Sequence, residues 1–191
     1  MRLKNLFEDT LRVLGIDPGS RITGYGVVDK GRGGKLAHVC DGHLLLDASA
    51  PLPERLLAIS NALKGIIDEF KPDAMSIESI FFAKNVDSAI KLGEARGVPL
   101  LCAASSGVPV YEYAPRSVKQ AVTGYGNATK EQVQKMVKML LKTQAQLKPD
   151  AADALAIAIC HIHHFHAGLE NKRLSREGTP ARSCQDDTIG G

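Results

Sequence analysis

The sequence predicts an α/β domain with a mixed β-sheet. Short apolar runs typical of strands occur among longer segments whose apolar residues recur at helical spacing. In chain order these are three strands, a helix, a strand, a helix, a strand and then further helices. The first two strands are too close for a parallel crossover, which needs roughly a dozen residues or more, so they are expected to form an antiparallel hairpin.

The individual elements follow from these patterns. Strands are predicted at 13–16, 24–28, 36–46, 74–77 and 108–113, and helices at 53–70, 87–104, 129–142 and 150–165. Thr129 followed by Gln132 is typical of a capping box, so a helix is expected to begin there. We therefore assign residues 1–11 to a short N-terminal extension, 12–168 to the folded domain and the polar residues 169–191 to a disordered tail.

Charge and cysteine content limit the class of protein. The net charge of +3 is too small to identify a nucleic-acid-binding protein. However, Glu131 is the only acidic residue from Arg116 to Lys148, among seven lysine and arginine residues. This segment is either a solvated helix surface or a phosphate-binding surface. Four cysteines without a Cys-x-x-Cys pair, and the lack of a signal-like or membrane-spanning apolar run, favour a reduced cytoplasmic protein.

Two acidic residues end predicted strands. Asp17 follows the apolar run 13–16 and precedes Pro18-Gly19, where it could simply start a turn. Glu78 ends the apolar strand that begins at Ala74. A carboxylate leaving a buried strand is harder to explain structurally, because its burial is costly unless it is paired or bound to a metal.

A second pair of acids stands at the start of the last predicted helix. Asp150 and Asp153 could cap this helix or complement its dipole. Together with the two strand-end acids, however, they can converge on one side of the sheet and repel one another unless a divalent cation is present. All-oxygen ligation suits Mg²⁺ or Mn²⁺. Two such ions about 4 Å apart can support phosphodiester hydrolysis.

Two other candidate sites are weaker. The glycine spacing from Gly19 to Gly24 resembles a phosphate loop, but Tyr25 stands where such a loop requires lysine. The segment 160–166 contains one cysteine and four histidines and could bind a transition metal. Histidines near a helix end more commonly complement its dipole.

Several segments match the motifs of one known family and occur in that family's order: 15–20 with 23–26, 77–81 with 83–85, 92–97, 119–120 with 124–126, and 150–156. Through these segments the chain resembles RuvC-type Holliday-junction resolvases over residues 12–166. The resemblance implies a ribonuclease-H-like fold, a five-stranded mixed sheet flanked by helices. It also implies an endonuclease that resolves Holliday junctions by paired symmetric nicks in DNA recombination and repair.

The same resemblance implies roles for particular residues. The catalytic and metal-binding residues would be Asp17, Glu78, Asp150 and Asp153. They form the same site that their chemistry already suggests. Phe81, Lys119 and Lys130 would bind DNA, although core packing is an alternative for Phe81. The resemblance further implies a homodimer with the helix around 88–97 near its interface, and RuvA and RuvB as partner proteins.

Other functions remain open at this point. The segment Asp17-Pro18-Gly19 before a hairpin also resembles the opening of actin-like kinases and ATPases, but those need two such domains. A junction-binding module without catalysis is a second alternative, and the four acids argue against it. A related nuclease acting on another nucleic acid is a third.

Overall fold

Five strands form one mixed sheet in the computed structural model, which describes residues 10–79 and 86–177. The strands are β1 (Leu11–Asp17), β2 (Ile22–Lys30), β3 (Leu36–Leu45), β4 (Ala74–Glu78) and β5 (Val110–Tyr113). Their order is β3-β2-β1-β4-β5. The β1–β2 and β2–β3 pairs are antiparallel, whereas β4 runs parallel to both β1 and β5. The predicted mixed sheet and its first hairpin are confirmed.

Helices cover both faces of this sheet. They are α1 (Leu52–Phe70), α2 (Val86–Ser105), α3 (Pro115–Thr123), α4 (Lys130–Leu141) and α5 (Pro149–Glu177), and a short 3-10 turn at Arg32–Gly34 joins β2 to β3. Successive residues of a strand point to opposite faces. Val13 therefore packs in the core under α3, α4 and α5, whereas Leu14 and Ile16 pack in the core under α1 and α2.

The structure differs from the prediction in two helices. Helix α3 was not predicted, although Pro115 at its start, Val118 and Val122 on its buried side and Gly124 at its C-cap are typical signals. Its nine residues are too few for a clear periodic pattern. Helix α5 continues to Glu177, into the segment where disorder was expected to begin, while residues 178–191 lie outside the described ones. The predicted start of α4 is confirmed, because Thr129 and Gln132 form the capping box.

Close contact between α5 and the sheet depends on two glycines. A Cβ atom at Gly15 would overlap the carbonyl oxygen of Ala154, and one at Gly24 would overlap the carbonyl oxygen of Asp150. Any larger residue at either position would have to push the helix away from β1 and β2. Glycine therefore allows the first turns of α5 to lie directly against the two strands. Within the described part of the chain, no helix is long and apolar enough to cross a membrane.

We predict that Gly24→Ala destabilises the protein by about 3 kcal/mol or more, the upper range for overpacking, because the obstructing atom belongs to a helix backbone. Gly65→Ala is the matched control, since Gly65 is exposed on α1 with open space around it. That change should stabilise the helix by about 0.5–1 kcal/mol. Urea denaturation measures both effects. Equal stability of Gly24→Ala and the unsubstituted protein would contradict the proposed packing constraint.

Candidate active site

Asp17 and Glu78 lie side by side because of the strand register. The Ser76 hydroxyl donates a hydrogen bond to the carbonyl oxygen of Ile157 in α5, at 3.2 Å. Glu78 is two residues further along β4 and so faces α5 as well. In the parallel β1–β4 pair, Ile16 stands opposite Ile77. The next residues, Asp17 and Glu78, are therefore neighbours at the carboxyl ends of the two strands.

Helix α5 brings the second pair of acids to this edge. Asp17 pairs with Gly24 in the hairpin, and Gly24 lies against the backbone of Asp150. Asp153 follows one helical turn later. Asp17, Glu78 and Asp153 line one cavity, together with Pro115, Val118, Lys119, Lys130, Val133, Ala156 and Ile157. Asp150 does not line this cavity, but it is close enough for its charge to act on Asp17.

The acids disturb one another's ionisation. Burial, followed by the negative charges of Asp153 and Glu78, raises the pKa of Asp17 to about 7. Burial also raises the pKa of Glu78, and the charge of Asp153 adds to this effect. Both shifts show that negative charge is unfavourable in the cavity. A cation placed here would be stabilised by the same charges.

Two lysines provide positive charge at the cavity. Lys130 Nζ donates a hydrogen bond to Asp153 Oδ2 at 3.2 Å, in an ion pair whose lysine side chain is 71% exposed and whose aspartate is 21% exposed. The charge of Asp153 is the main cause of the raised pKa of Lys130. Lys130 and Lys119 together act against the rise in the pKa of Glu78. Both lysines therefore line the same cavity as the carboxylates, and their binding to DNA stays a prediction.

The carboxylates of the cavity are chemically suited to bind a divalent cation. Carboxylate oxygens are the ligands that Mg²⁺ and Mn²⁺ prefer, and several of them meet at one edge of the sheet. Among the residues that the structure describes, however, no three potential ligands are already gathered closely enough to hold a metal ion. The negative charge of the cavity and the type of its ligands therefore support a cation here. Phe81, the predicted stacking residue, lies outside the described residues.

Sequence reasoning missed Arg96, which reaches the same strand end from α2. Its Nε donates a hydrogen bond to the backbone carbonyl oxygen of Glu78 at 3.3 Å. The residue belongs to the segment 92–97 that resembles the family, but its contact is with a backbone atom. No side-chain pattern identifies such a partner in a sequence.

Three histidines of α5, His161, His163 and His164, have structural partners. His161 is buried, and its Nδ1 lies 2.8 Å from the Tyr113 hydroxyl. His163 Nδ1 donates to the carbonyl oxygen of Ala121, and His164 Nδ1 to that of Cys160, both at 2.9 Å. Burial lowers the pKa of His161 to about 4, so this side chain is neutral at pH 7. Because α5 continues to Glu177, these residues do not complement the end of its dipole.

The outward face of α2 carries two glycines and two apolar side chains beside the exposed Glu94. Gly93 and Gly97 are exposed, and a Cβ atom at either would meet open space. Ile90 and Leu101 flank them and are 55% and 68% exposed. These two glycines therefore do not pack against the sheet. We refer to the exposed residues Ile90, Gly93, Gly97 and Leu101 as the α2 face.

Comparisons with known proteins agree with the expected family. The model of the family Crossover junction endodeoxyribonuclease RuvC matches residues 13–161. The Crossover junction endodeoxyribonuclease RuvC of Pelobacter propionicus is 49% identical over 173 residues, covering 91% of this chain and 96% of that protein. The protein of the same name from Geobacter sulfurreducens is 52% identical, covering 80% of this chain and 93% of its own.

Solved structures agree with the expected ribonuclease-H-like fold. The structure of T. thermophilus RuvC in complex with Holliday junction substrate superposes with a TM-score of 0.79 and 36% sequence identity. This alignment covers 83% of the present chain and 96% of the T. thermophilus chain. Sequence relatives, family model and fold thus agree over nearly the whole described region, and the chain belongs to the RuvC family of crossover junction endodeoxyribonucleases.

Proposed function

We propose that this protein is a structure-selective endonuclease that resolves Holliday junctions by paired symmetric nicks during DNA recombination and repair. The observation that carries this proposal is the cavity in which Asp17, Glu78 and Asp153 meet Lys119 and Lys130. Carboxylates beside lysine side chains suit a phosphodiester, whose phosphate needs positive charge on one side and an activated water on the other. The T. thermophilus relative, which was solved with a Holliday junction, supports this choice of substrate.

Members of the RuvC family are metal-dependent nucleases. We propose Mg²⁺ for this chain, with Mn²⁺ as a substitute and two ions in each site, bound by Asp17, Glu78, Asp150 and Asp153. Burial, and after it the charges of neighbouring acids, raises the pKa values of Asp17 and Glu78, and this supports the assignment because a divalent cation would favour the ionised form of both carboxylates. When bound, the ions supply water activation and stabilisation of charge on the phosphate.

The lysines and Phe81 would hold the DNA. Lys130 is mostly exposed and pairs with Asp153, so it can exchange this carboxylate for a backbone phosphate. Lys119, on α3, lines the same cavity and would contact a second phosphate. Phe81 follows Glu78 by three residues and would stack on a base at the opened crossover. The chain would act in the cytoplasm with RuvA and RuvB.

A homodimer would place two such sites on one junction. The α2 face supports this proposal, because its glycines allow close approach and its exposed Ile90 and Leu101 offer apolar area. Closed twofold dimers are the commonest protein oligomers. Two sites related by a twofold axis can cut both equivalent strands within one complex. A single site would have to release the junction and bind it again.

We predict that Asp17→Asn abolishes cleavage of a synthetic four-way junction but leaves junction binding largely unchanged. The same change should stabilise the metal-free protein at high pH. The pKa of Asp17 is about 7 in the folded protein and 3.8 ordinarily, so the folded state binds more protons between these values. The stability of the unsubstituted protein therefore falls as the pH rises through this window, by up to about 4 kcal/mol.

Melting temperatures in EDTA from pH 4 to pH 8 measure this effect. The advantage of Asp17→Asn should grow with pH, by about 2–4 °C per kcal/mol. Mg²⁺ should then stabilise the unsubstituted protein more than the variant. Asp68→Asn, at an exposed position on α1, is the control and should show no such trend. Parallel melting profiles for Asp17→Asn and the unsubstituted protein would exclude a repelled carboxylate at residue 17.

We predict that Lys119→Ala and Lys130→Ala each weaken junction binding and reduce its salt dependence. Each lost phosphate contact should lower the slope of log K against log salt by about 0.9. Gel shifts in Ca²⁺ over a range of NaCl concentrations measure this slope. Lys64→Ala, at an exposed position on α1, is the control and should leave it unchanged. If the Lys119 and Lys130 variants match this control, these lysines only solvate their helices.

We predict a dimer of twice the 20.5 kDa chain mass in light scattering. Gly97→Glu should give monomers that remain folded. In the single chain the new side chain would point into open space, whereas in the dimer its charge would be buried at the interface. Gly65→Glu is the control on an exposed position of α1.

Heterodimers of unsubstituted and Asp153→Asn subunits should nick one strand and stall. Paired cutting by a Gly97→Glu monomer would disprove the need for two subunits.

A further inference from the structure

Arg96 connects α2 to the carboxyl ends of β4 and β5. Its Nε donates to the carbonyl oxygen of Glu78, and its Nη2 forms a close ion pair with Glu112 of β5. The Arg96 side chain is only 14% exposed, whereas that of Glu112 is 52% exposed. Nη2 is buried and has no aligned hydrogen bond among the described residues, so its contact with Glu112 is mainly electrostatic. The guanidinium thus contacts both β4 and β5.

The contact is made where the sheet gives Glu78 the least support. The pairing of β4 with β1 ends at Ile77, one residue before Glu78. On the other side, Glu78 still pairs with Tyr113 of β5, and the Ser79 backbone N–H donates to the Tyr113 carbonyl oxygen at 2.9 Å. Arg96 adds a side-chain hydrogen bond to the Glu78 peptide itself. It therefore restrains the backbone from which the Glu78 carboxylate projects into the cavity.

We propose that Arg96 is a positioning residue that sets the place of the Glu78 carboxylate in the cavity. The inference rests on the proposed role of Glu78 as a metal ligand. Arg96 does not line the cavity and would not touch the DNA or the ions. Its effect would come through geometry, because ligands and catalytic groups must be held within about 0.5 Å of the productive arrangement. Losing this hydrogen bond would let the last residue of β4 shift.

Arg12 offers a matched control at the opposite end of the sheet. Its guanidinium donates to the carbonyl oxygen of Phe70 at 2.9 Å and to both carboxylate oxygens of Asp29, at 2.7 and 2.8 Å. It therefore holds a backbone carbonyl and an acidic side chain, as Arg96 does. It lies near the start of β1, whereas Asp17 ends that strand. Arg12→Met should affect stability without affecting the cavity.

The experiment compares Arg96→Met, Arg12→Met and Glu78→Gln with the unsubstituted protein. Four quantities are measured on the full chain: melting temperature, junction affinity in Ca²⁺, kcat at saturating junction and Mg²⁺, and Mn²⁺ affinity without DNA by electron paramagnetic resonance. For Arg96→Met we expect kcat to fall about 100-fold. We expect Mn²⁺ affinity to fall about 10-fold, with junction affinity unchanged. Arg96→Lys should recover part of both losses.

Each outcome supports or overturns the inference. Arg12→Met should retain both kcat and Mn²⁺ affinity at temperatures where it is folded. Arg96→Met with the kcat and Mn²⁺ affinity of the unsubstituted protein would overturn the inference. If Arg96→Met does not fold, Glu112→Gln removes only the ion pair and should cause smaller losses in the same two quantities; no loss would again overturn it. If Glu78→Gln itself keeps full Mn²⁺ affinity and cleavage, the proposed role of Glu78 fails instead.

Discussion

The contact of α5 with β1 and β2 is the constraint on which the candidate site depends. Four carboxylates come from three separate parts of the chain, and only two of them are placed by the sheet alone. The other two reach the sheet edge because Gly15 and Gly24 leave room for the backbone of α5. At Gly15 and Gly24, the two closest points of this contact, the strands contribute no side chain. Its stability comes from the core beneath α5, in which Val13, Val28 and Leu155 are buried.

This arrangement brings together groups that repel one another. The pKa of Asp17 is raised to about 7 by burial and by its acidic neighbours, so the site lowers the stability of the folded chain near neutral pH. Lys130 offsets part of the repulsion through its ion pair with Asp153. Electrostatic repulsion of this kind is common in sites whose charged groups bind a ligand. A cation and a phosphate would supply the complementary charges, and the family membership of the chain supports this interpretation.

Most of the fold could be predicted from local patterns. The hairpin, the later strands and the α4 capping box follow from apolar periodicity and turn residues, and the structure confirms them. Helix α3 was missed because nine residues give little periodicity. The four acids could be singled out because Glu78 ends a buried strand, where an unpaired carboxylate is costly, and because Asp17, Asp150 and Asp153 can converge on the same side of the sheet. The sequence could not show that Asp150 lies outside the cavity lining, nor that Arg96 binds a backbone carbonyl, because both depend on tertiary packing.

We propose that the carboxylates at this sheet edge bind the divalent ions used for DNA cleavage. Anomalous diffraction from crystals of the protein soaked in Mn²⁺ tests this role most directly. We expect anomalous peaks within about 2.0–2.3 Å of carboxylate oxygens of Asp17 and Glu78, close to the ligand distances of small divalent ions. These peaks should disappear in Asp17→Asn. Mn²⁺ bound only elsewhere, such as at the histidines of α5, would disprove metal binding by these carboxylates.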